Sequence, residues 1–330
     1  MSSEFENNIL LTGAGFTKNV GGLLASEMWS HIFNLDQIQK HPNLKKLLYT
    51  DCNYESVYHK VISGEYSTEE KNAISEAILS AYDTLDDIVR NWTFTVDAQF
   101  PMNIYGVNEF IGNLLLQEGK KGLFFTLNQD LFIERHYSNL TKQLSYPYVS
   151  RCLDEYHRNM KMALNRKDFV STPSEKDLQN NQGLMNNTIN YIKLHGSYGW
   201  LSQSGSNNYV IGVEKEEQIA MEPLLSKYAE IFIHALSGLD KKLLIIGYGF
   251  GDEHINKAIA NAIKDYKLKI YILSPSSNEY FIDKIKKLDE SEVFLKGLSG
   301  YFKHGLLDLF PKDQSKTDAI SKILEKFQQR

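Results

Sequence analysis

Three polar side chains stand where strand-like apolar runs stop, and their types are those of acid/base and nucleotide chemistry. Asn128 and Asp130 lie in Thr126-Leu127-Asn128-Gln129-Asp130, just after Phe124-Phe125. His195 lies in Lys193-Leu194-His195-Gly196-Ser197, after Tyr191-Ile192. An amide can both donate to and accept from a substrate, a carboxylate can accept, and an imidazole can exchange a proton near neutral pH. A third strand-like run, Asn8 to Thr12, ends in Gly13-Ala14-Gly15. Small residues at that place let backbone N–H groups approach a phosphate, with a helix N-terminus adding favourable partial charge. Together these pieces predict a nucleotide site with an acid/base residue beside it.

The elements that must position these groups are legible in the hydrophobic pattern. Continuous apolar runs at Ile9 to Thr12, Leu123 to Thr126, Tyr191 to Leu194, Leu243 to Gly247 and Lys269 to Leu273 read as parallel strands buried on both faces. Helical periods lie between them. In Glu253 to Ile263 the residues Ile255, Ile259 and Ile263 repeat every four, with Asp252 as candidate N-cap. Pro223 to Leu236 and Ser276 to Leu288 behave alike. The alternation predicts an α/β fold, a doubly wound (Rossmann-like) parallel sheet with a helical insertion. Ligands of such sheets bind outside the carboxyl ends of the strands, where all the polar groups above are placed.

The expected organisation is a nucleotide-binding domain of residues 1–30 plus 111–310, a helical insertion at 31–110, a polar insertion at 138–188 and a C-terminal helix at 311–330. The first insertion carries Ile74, Ile78, Leu85 and Ile88-Val89 at helical spacing; the second is rich in Asn and Gln. Gly205 and Asn207-Asn208 separate two apolar runs between Trp200 and Val213, which predicts a β-hairpin.

Composition narrows the function. The net charge of −5 gives no general footprint for nucleic acid. The local cluster Arg151, Arg158, Lys161, Arg166 and Lys167 reads as a solvated helix face, so no direct nucleic-acid binding is expected. There is no basic and apolar leader and no membrane-length apolar run, so a cytoplasmic location away from membranes is expected. Only Cys52 and Cys152 are present, which excludes a cysteine-held zinc site, and neither folding nor activity is expected to need a metal.

Each motif also has a plainer reading. Asn128 could cap a helix starting near Asp130, Asp130 could be a first-turn carboxylate, and His195 a hydrogen-bonded histidine at a strand end. Gly247-Tyr248-Gly249-Phe250-Gly251-Asp252 could be a mere strand-to-helix turn. Gly13-Ala14-Gly15 lacks the third glycine of a dehydrogenase fingerprint, Lys18 standing in its place. What favours a site is that each block ends a different strand.

Gly13-Ala14-Gly15, Thr126-x-Asn128-x-Asp130, Leu194-His195-Gly196 and Gly247-Tyr248-Gly249 occur in the order found in the sirtuin family. The variants Gly-Ala-Gly-Phe-Thr and Gly-Tyr-Gly-Phe-Gly-Asp resemble bacterial sirtuin-like domains of antiphage defence. The resemblance implies NAD binding, with Asn128 and His195 catalytic and Asp130 near the nicotinamide carboxamide. It implies that Gly13, Ala14, Gly15, Phe16, Thr17, Thr126, Gly247, Tyr248, Gly249 and Ser274 surround the nucleotide. The zinc cysteines and the Gly-Ile-Pro-Asp-Phe-Arg segment of deacetylating sirtuins are missing, with Thr17 to Gly22 and Trp29 in the latter region. The resemblance thus implies an NAD-cleaving hydrolase acting as a defence effector, a homo-oligomer paired with a HerA-type ATPase or another sensor. The alternatives are an NAD-dependent deacylase or ADP-ribosyltransferase, and a non-catalytic subunit sensing NAD or ADP-ribose.

Overall fold

The computed structural model describes residues 5–91, 102–116, 120–137, 143–149, 153, 162–180, 183–313 and 317–328. Its strands are β1 (Phe5–Thr12), β2 (Lys121–Thr126), β3 (Leu144–Ser145), β4 (Val170–Ser171), β5 (Ile189–Lys193), β6 (Gly196–Leu201), β7 (Asn207–Tyr209), β8 (Lys242–Ile246), β9 (Lys269–Ser274) and β10 (Leu298–Lys303). Seven of them form one sheet in the order β10-β9-β8-β1-β2-β5-β3, and every pairing in it is parallel. This is the doubly wound α/β architecture expected from the alternating pattern.

Continuous apolar strands follow from burial on both faces. Leu10, Phe124, Leu244 and Ile246 face one core, while Ile9, Leu11, Leu123, Phe125, Leu243 and Ile245 face the other. The second face is covered by the helices Pro223–Leu236 and Glu253–Tyr266, in which Ile255, Ile259 and Ile263 are all buried. Against the first face lie α1 (Ala14–Thr17), α2 (Ala25–Phe33), α3 (Asp36–Gln39), α4 (Pro42–Thr50), α5 (Tyr54–Ser63), α6 (Thr68–Asn91) and α7 (Ile104–Leu115). The C-terminal helix Asp318–Gln328 joins that layer, Phe327 lying 4.7 Å from Tyr271 ring to ring. On α6, Ile74, Ile78 and Leu85 are buried as the helical period requires.

Register decides where the chemistry falls. Thr12 is level with Thr126 and Ile246, Thr126 with Lys193, and Ile246 with Leu273. The residues following each strand therefore emerge along one edge. The chain leaves β1 towards β2 but leaves β8 towards β9, so the β1/β8 boundary is the topological switch point where a crevice opens.

Several details differ from the sequence reading. Leu194 lies in a turn, β5 having ended at Lys193. The hairpin is β6 and β7, but Asn207-Asn208 is in β7 and the reversal occupies Ser202–Ser206. With β4, that hairpin makes a small second sheet. The strand β10 lacks a continuous apolar run and was invisible to that criterion. Of the basic cluster, Arg166 and Lys167 sit in a 3-10 turn, while Arg151, Arg158 and Lys161 lie outside the described residues.

Candidate active site

A cavity of about 800 Å³ runs along the carboxyl edge of the main sheet. Six strands contribute to it: His195 after β5, Leu127 to Asp130 after β2, Gly13 to Gly15 after β1, Gly247 to Gly249 after β8, Ser274 to Ser276 after β9, and His304 with Leu306 after β10. Five strand spacings of about 4.8 Å make it about 24 Å long, enough for an extended dinucleotide. Tyr54 and Glu55 of α5 and Tyr82 of α6 form its opposite wall. Among the described residues the polar stretch 138–188 supplies none of the lining.

The glycines at the switch point are there for backbone packing. Gly13 N donates to Ile246 O (3.0 Å) and Gly15 N to Gly247 O (2.9 Å). A Cβ on Gly15 would come within 2.8 Å of Gly247 Cα, and Gly247 has φ +68. The two turns interlock, so these two N–H groups already have partners, contrary to the expectation that they point at a phosphate. Cations answer the need better. Of three lysines lining the cavity, Lys18 pairs with Glu27, and Lys215 pairs with Glu55 and Asp252 at 2.8 Å each. Lys284 is half-buried beside Gly249, without an ion pair among the described residues, and burial pulls its pKa down.

Asn128 is held by its backbone and leaves its side chain to the cavity. Thr12 Oγ1 donates to Thr126 Oγ1 (2.9 Å), and Asn128 N donates to the same oxygen (3.1 Å). Gln129 is tied on both sides, accepting from the Tyr82 hydroxyl and donating to Val210 O at 2.7 Å. The expected capping role of Asn128 is not realised: α8 (Phe132–His136) starts later, and Asp130 Oδ1 accepts from Phe132 N (3.0 Å). Asp130 Oδ2 accepts from Thr17 Oγ1 (3.1 Å), and Lys193 Nζ reaches Asp130 O and Glu134 Oε1. Burial pushes the carboxyl pKa of Asp130 up, and the Lys193 ammonium opposes the shift. Asp130 thus lines the cavity and also starts the helix.

His195 is 3% exposed and is fixed by the turn it opens. Val210 N donates to its carbonyl (2.9 Å), and Gly196 follows at φ +75, where a Cβ would strike Asn208 O. Only glycine turns the chain there without strain. The His195 Nε2 lies 3.0 Å from His254 Nε2, so one ring must donate and the other accept. Burial drives the His195 pKa down to about 3, with Asp252 resisting and Lys215 and His254 assisting; burial also lowers that of His254. His195 is therefore neutral at physiological pH.

Asp252 takes the N-cap position as expected, but its side chain makes no cap. It turns instead to Lys215 and to the histidine pair. Burial would raise its pKa, but the Lys215 ammonium and its hydrogen bond, with the imidazoles of His195 and His254 beside it, hold it below the usual carboxylate range. Tyr248 braces the turn, its hydroxyl accepting from Asp252 N (3.1 Å). Asp252, His254, Lys215 and Glu55 were not singled out as site residues from sequence. The available signal was Gly251-Asp252-Glu253-His254 directly after a strand-end glycine run; Lys215 and Glu55 gave none. Of the residues assigned to the nucleotide, Gly13, Ala14, Gly15, Thr17, Gly247, Tyr248, Gly249 and Ser274 line the cavity. Phe16 and Thr126 do not. Phe16 packs edge-on against Phe124 and Phe132, and Thr126 is 1% exposed and supports Asn128 from behind.

The SIR2-like domain profile matches residues 122–295, more than half of the chain. The chain belongs to the SIR2-like family. The match takes in the strand ends of Asn128, His195 and Asp252 and stops short of the Gly13–Gly15 turn. Among solved structures, a Sir2 homologue mutant in complex with ADP-ribose is 10% identical, with TM-score 0.41 over 97% of this chain and 89% of that one. A Sir2 homologue in complex with NAD is 11% identical, with TM-score 0.41 over 97% and 88%. Likenesses this distant carry neither ligand nor mechanism to this chain. No curated protein matches the sequence. Among the described residues no helix is long and apolar enough to cross a membrane.

Proposed function

We propose that this SIR2-like protein is a hydrolase that cleaves NAD to nicotinamide and ADP-ribose. The observation that carries the reading is the convergence of Asn128, Asp130 and His195, from two strand ends, on one end of a cavity that spans six strand ends. The nicotinamide half lies over β2 and β5, and the adenosine half over β8, β9 and β10 beside Ser274. Lys284 and the N-terminal turn at Ala14 face the diphosphate between them.

Nicotinamide leaves as a neutral base, so no strong general acid is needed. The site must hold the ribose and place a water against it while positive charge builds on the sugar. The Asn128 amide, free on its cavity side, does this by donating and accepting at once. The water becomes acidic only as it bonds to the sugar, so a weak neutral base suffices to receive its proton. His195 receives it and passes its other proton across the 3.0 Å contact to His254. Asp130, bound by Thr17 and the helix start, orients the leaving carboxamide. In the cell the activity serves as an antiphage effector that depletes NAD.

The test is incubation of the purified chain with NAD and no acceptor. Release of ADP-ribose and nicotinamide is the expected result. Asn128→Ala and His195→Ala should each lower turnover by about a hundred- to ten-thousand-fold with near-normal melting temperatures. Cleavage that needs an acyl-peptide or protein acceptor would replace hydrolysis with deacylation or ADP-ribosyl transfer. Tight NAD binding without turnover would make the chain a sensor.

A further inference from the structure

Beyond its part in proton transfer, the His195 corner is built like a metal site. His195 Nε2 and His254 Nε2 are 3.0 Å apart. Two imidazole nitrogens on one tetrahedral zinc, each about 2.0–2.1 Å from it, are separated by about 3.3 Å. One carboxylate oxygen of Asp252 and one ring nitrogen of each histidine all lie within 4.8 Å of one another. Two imidazoles and a carboxylate, of which His195 and Asp252 line the cavity, make a zinc donor set. Such a site needs no cysteine, which is why counting cysteines did not reveal it.

We propose that His195, His254 and Asp252 bind a zinc-class divalent cation, and that the bound metal switches the site off. Binding needs the Asp252 carboxylate to close in on the ring nitrogens and the two rings to part by a few tenths of an ångström. The elements allow this, since Asp252 and His254 sit on the first turn of the helix Glu253–Tyr266 and are partly exposed. Lys215 opposes the metal, with its ammonium 2.8 Å from Asp252 Oδ1. It keeps Glu55 as a partner at 2.8 Å when Asp252 turns away, so the opposition weakens the site without closing it. The switch-off follows from two effects. The metal occupies the Nε2 through which His195 hands on its proton, and it sets a divalent charge beside a sugar that is itself becoming positive. The loss of activity rests on the NAD-cleaving reading; the binding of the metal does not.

The experiment titrates zinc chloride alone into the metal-stripped full chain by calorimetry, and then follows NAD turnover across the same zinc range. One zinc per chain is expected, with His254→Gln and Asp252→Asn each weakening it about tenfold or more. Lys215→Met, which removes the competing charge, should tighten it. Wild-type turnover should fall with the midpoint of zinc binding and recover on adding a chelator. Visible absorption of bound Co²⁺, lost in His254→Gln, checks the ligands independently of activity. Absence of stoichiometric zinc binding in the wild type, or binding unchanged by both ligand substitutions, overturns the proposal. Zinc bound as expected with turnover unaffected overturns the switch and leaves the site. A chain that binds zinc as expected but never cleaves NAD supports the site and sinks the hydrolase reading alone.

Discussion

Histidine is favoured as a catalytic base because its ordinary pKa, roughly 6.5, lies near neutrality. In this fold His195 departs far from that value, since burial brings it to about 3. The acid limb of kcat/KM should lie below pH 5, and a limb centred near 6.5 would show that His195 titrates in a wetter environment than its burial allows. Stability follows with a definite sign. Between pH 6.5 and 3 the unfolded chain binds a proton at this position and the folded chain does not, so stability rises with pH across that window. The His195 contribution is complete above about pH 6.5 and is lost progressively as the pH falls towards 3. His195→Gln, which cannot take the proton, should flatten this part of the curve in urea unfolding measured at several pH values. An unchanged slope would contradict the assigned shift.

The strand-end turns act as interlocking parts, and the glycines show which contacts matter. A Cβ on Gly15 would press on the Gly247 backbone, whereas one on Gly251 in the same stretch would meet nothing within 4 Å. Gly15→Ala is therefore expected to lower stability by about 1–3 kcal/mol and to disturb the cavity, while Gly251→Ala stays close to wild type. Chemical unfolding of both variants decides it, and equal effects would argue against the packing account. A second junction ties the inserted helices to the site. Arg135 on α8 donates to Asp86 on α6, Nε to Oδ1 at 2.6 Å, and both side chains are buried. Together with the Tyr82–Gln129 contact, it couples α6 to the segment carrying Asn128 and Asp130.

For the whole molecule, the expected assembly uses these same helices. Helices α2, α5 and α6 contribute to the cavity wall, and α4 leaves Tyr49 77% exposed. We propose a homo-oligomer built through residues 31–110, weakly active alone and stimulated by a HerA-type ATPase or another sensor. Light scattering and NAD turnover measured together across a dilution series check this. A monomer with full, concentration-independent activity that no neighbouring gene product alters would sink it.

The sequence by itself determined five of the seven strands of the main sheet and where its central strands end. Strands buried on both faces must be apolar throughout, and the residue that ends such a run is at the edge of the sheet whatever its partners. Asn128, His195, Gly13 and Gly247 were legible for that reason, and the order of the blocks identified the family. Strand order and side-chain direction were decided by tertiary structure. Asp252 was readable as an N-cap by type and position, yet its side chain turns to Lys215 and two histidines because residues distant in sequence surround it. His254 lies on an amphipathic helix, where a polar residue ordinarily faces water, and only the neighbouring strand end gives it His195 as a partner. The same holds for the glycine turn, which reads as a phosphate cradle until the fold sets Gly247 against it. Burial, and with it the protonation state of His195, belongs to the assembled molecule, because desolvation depends on everything packed around the ring.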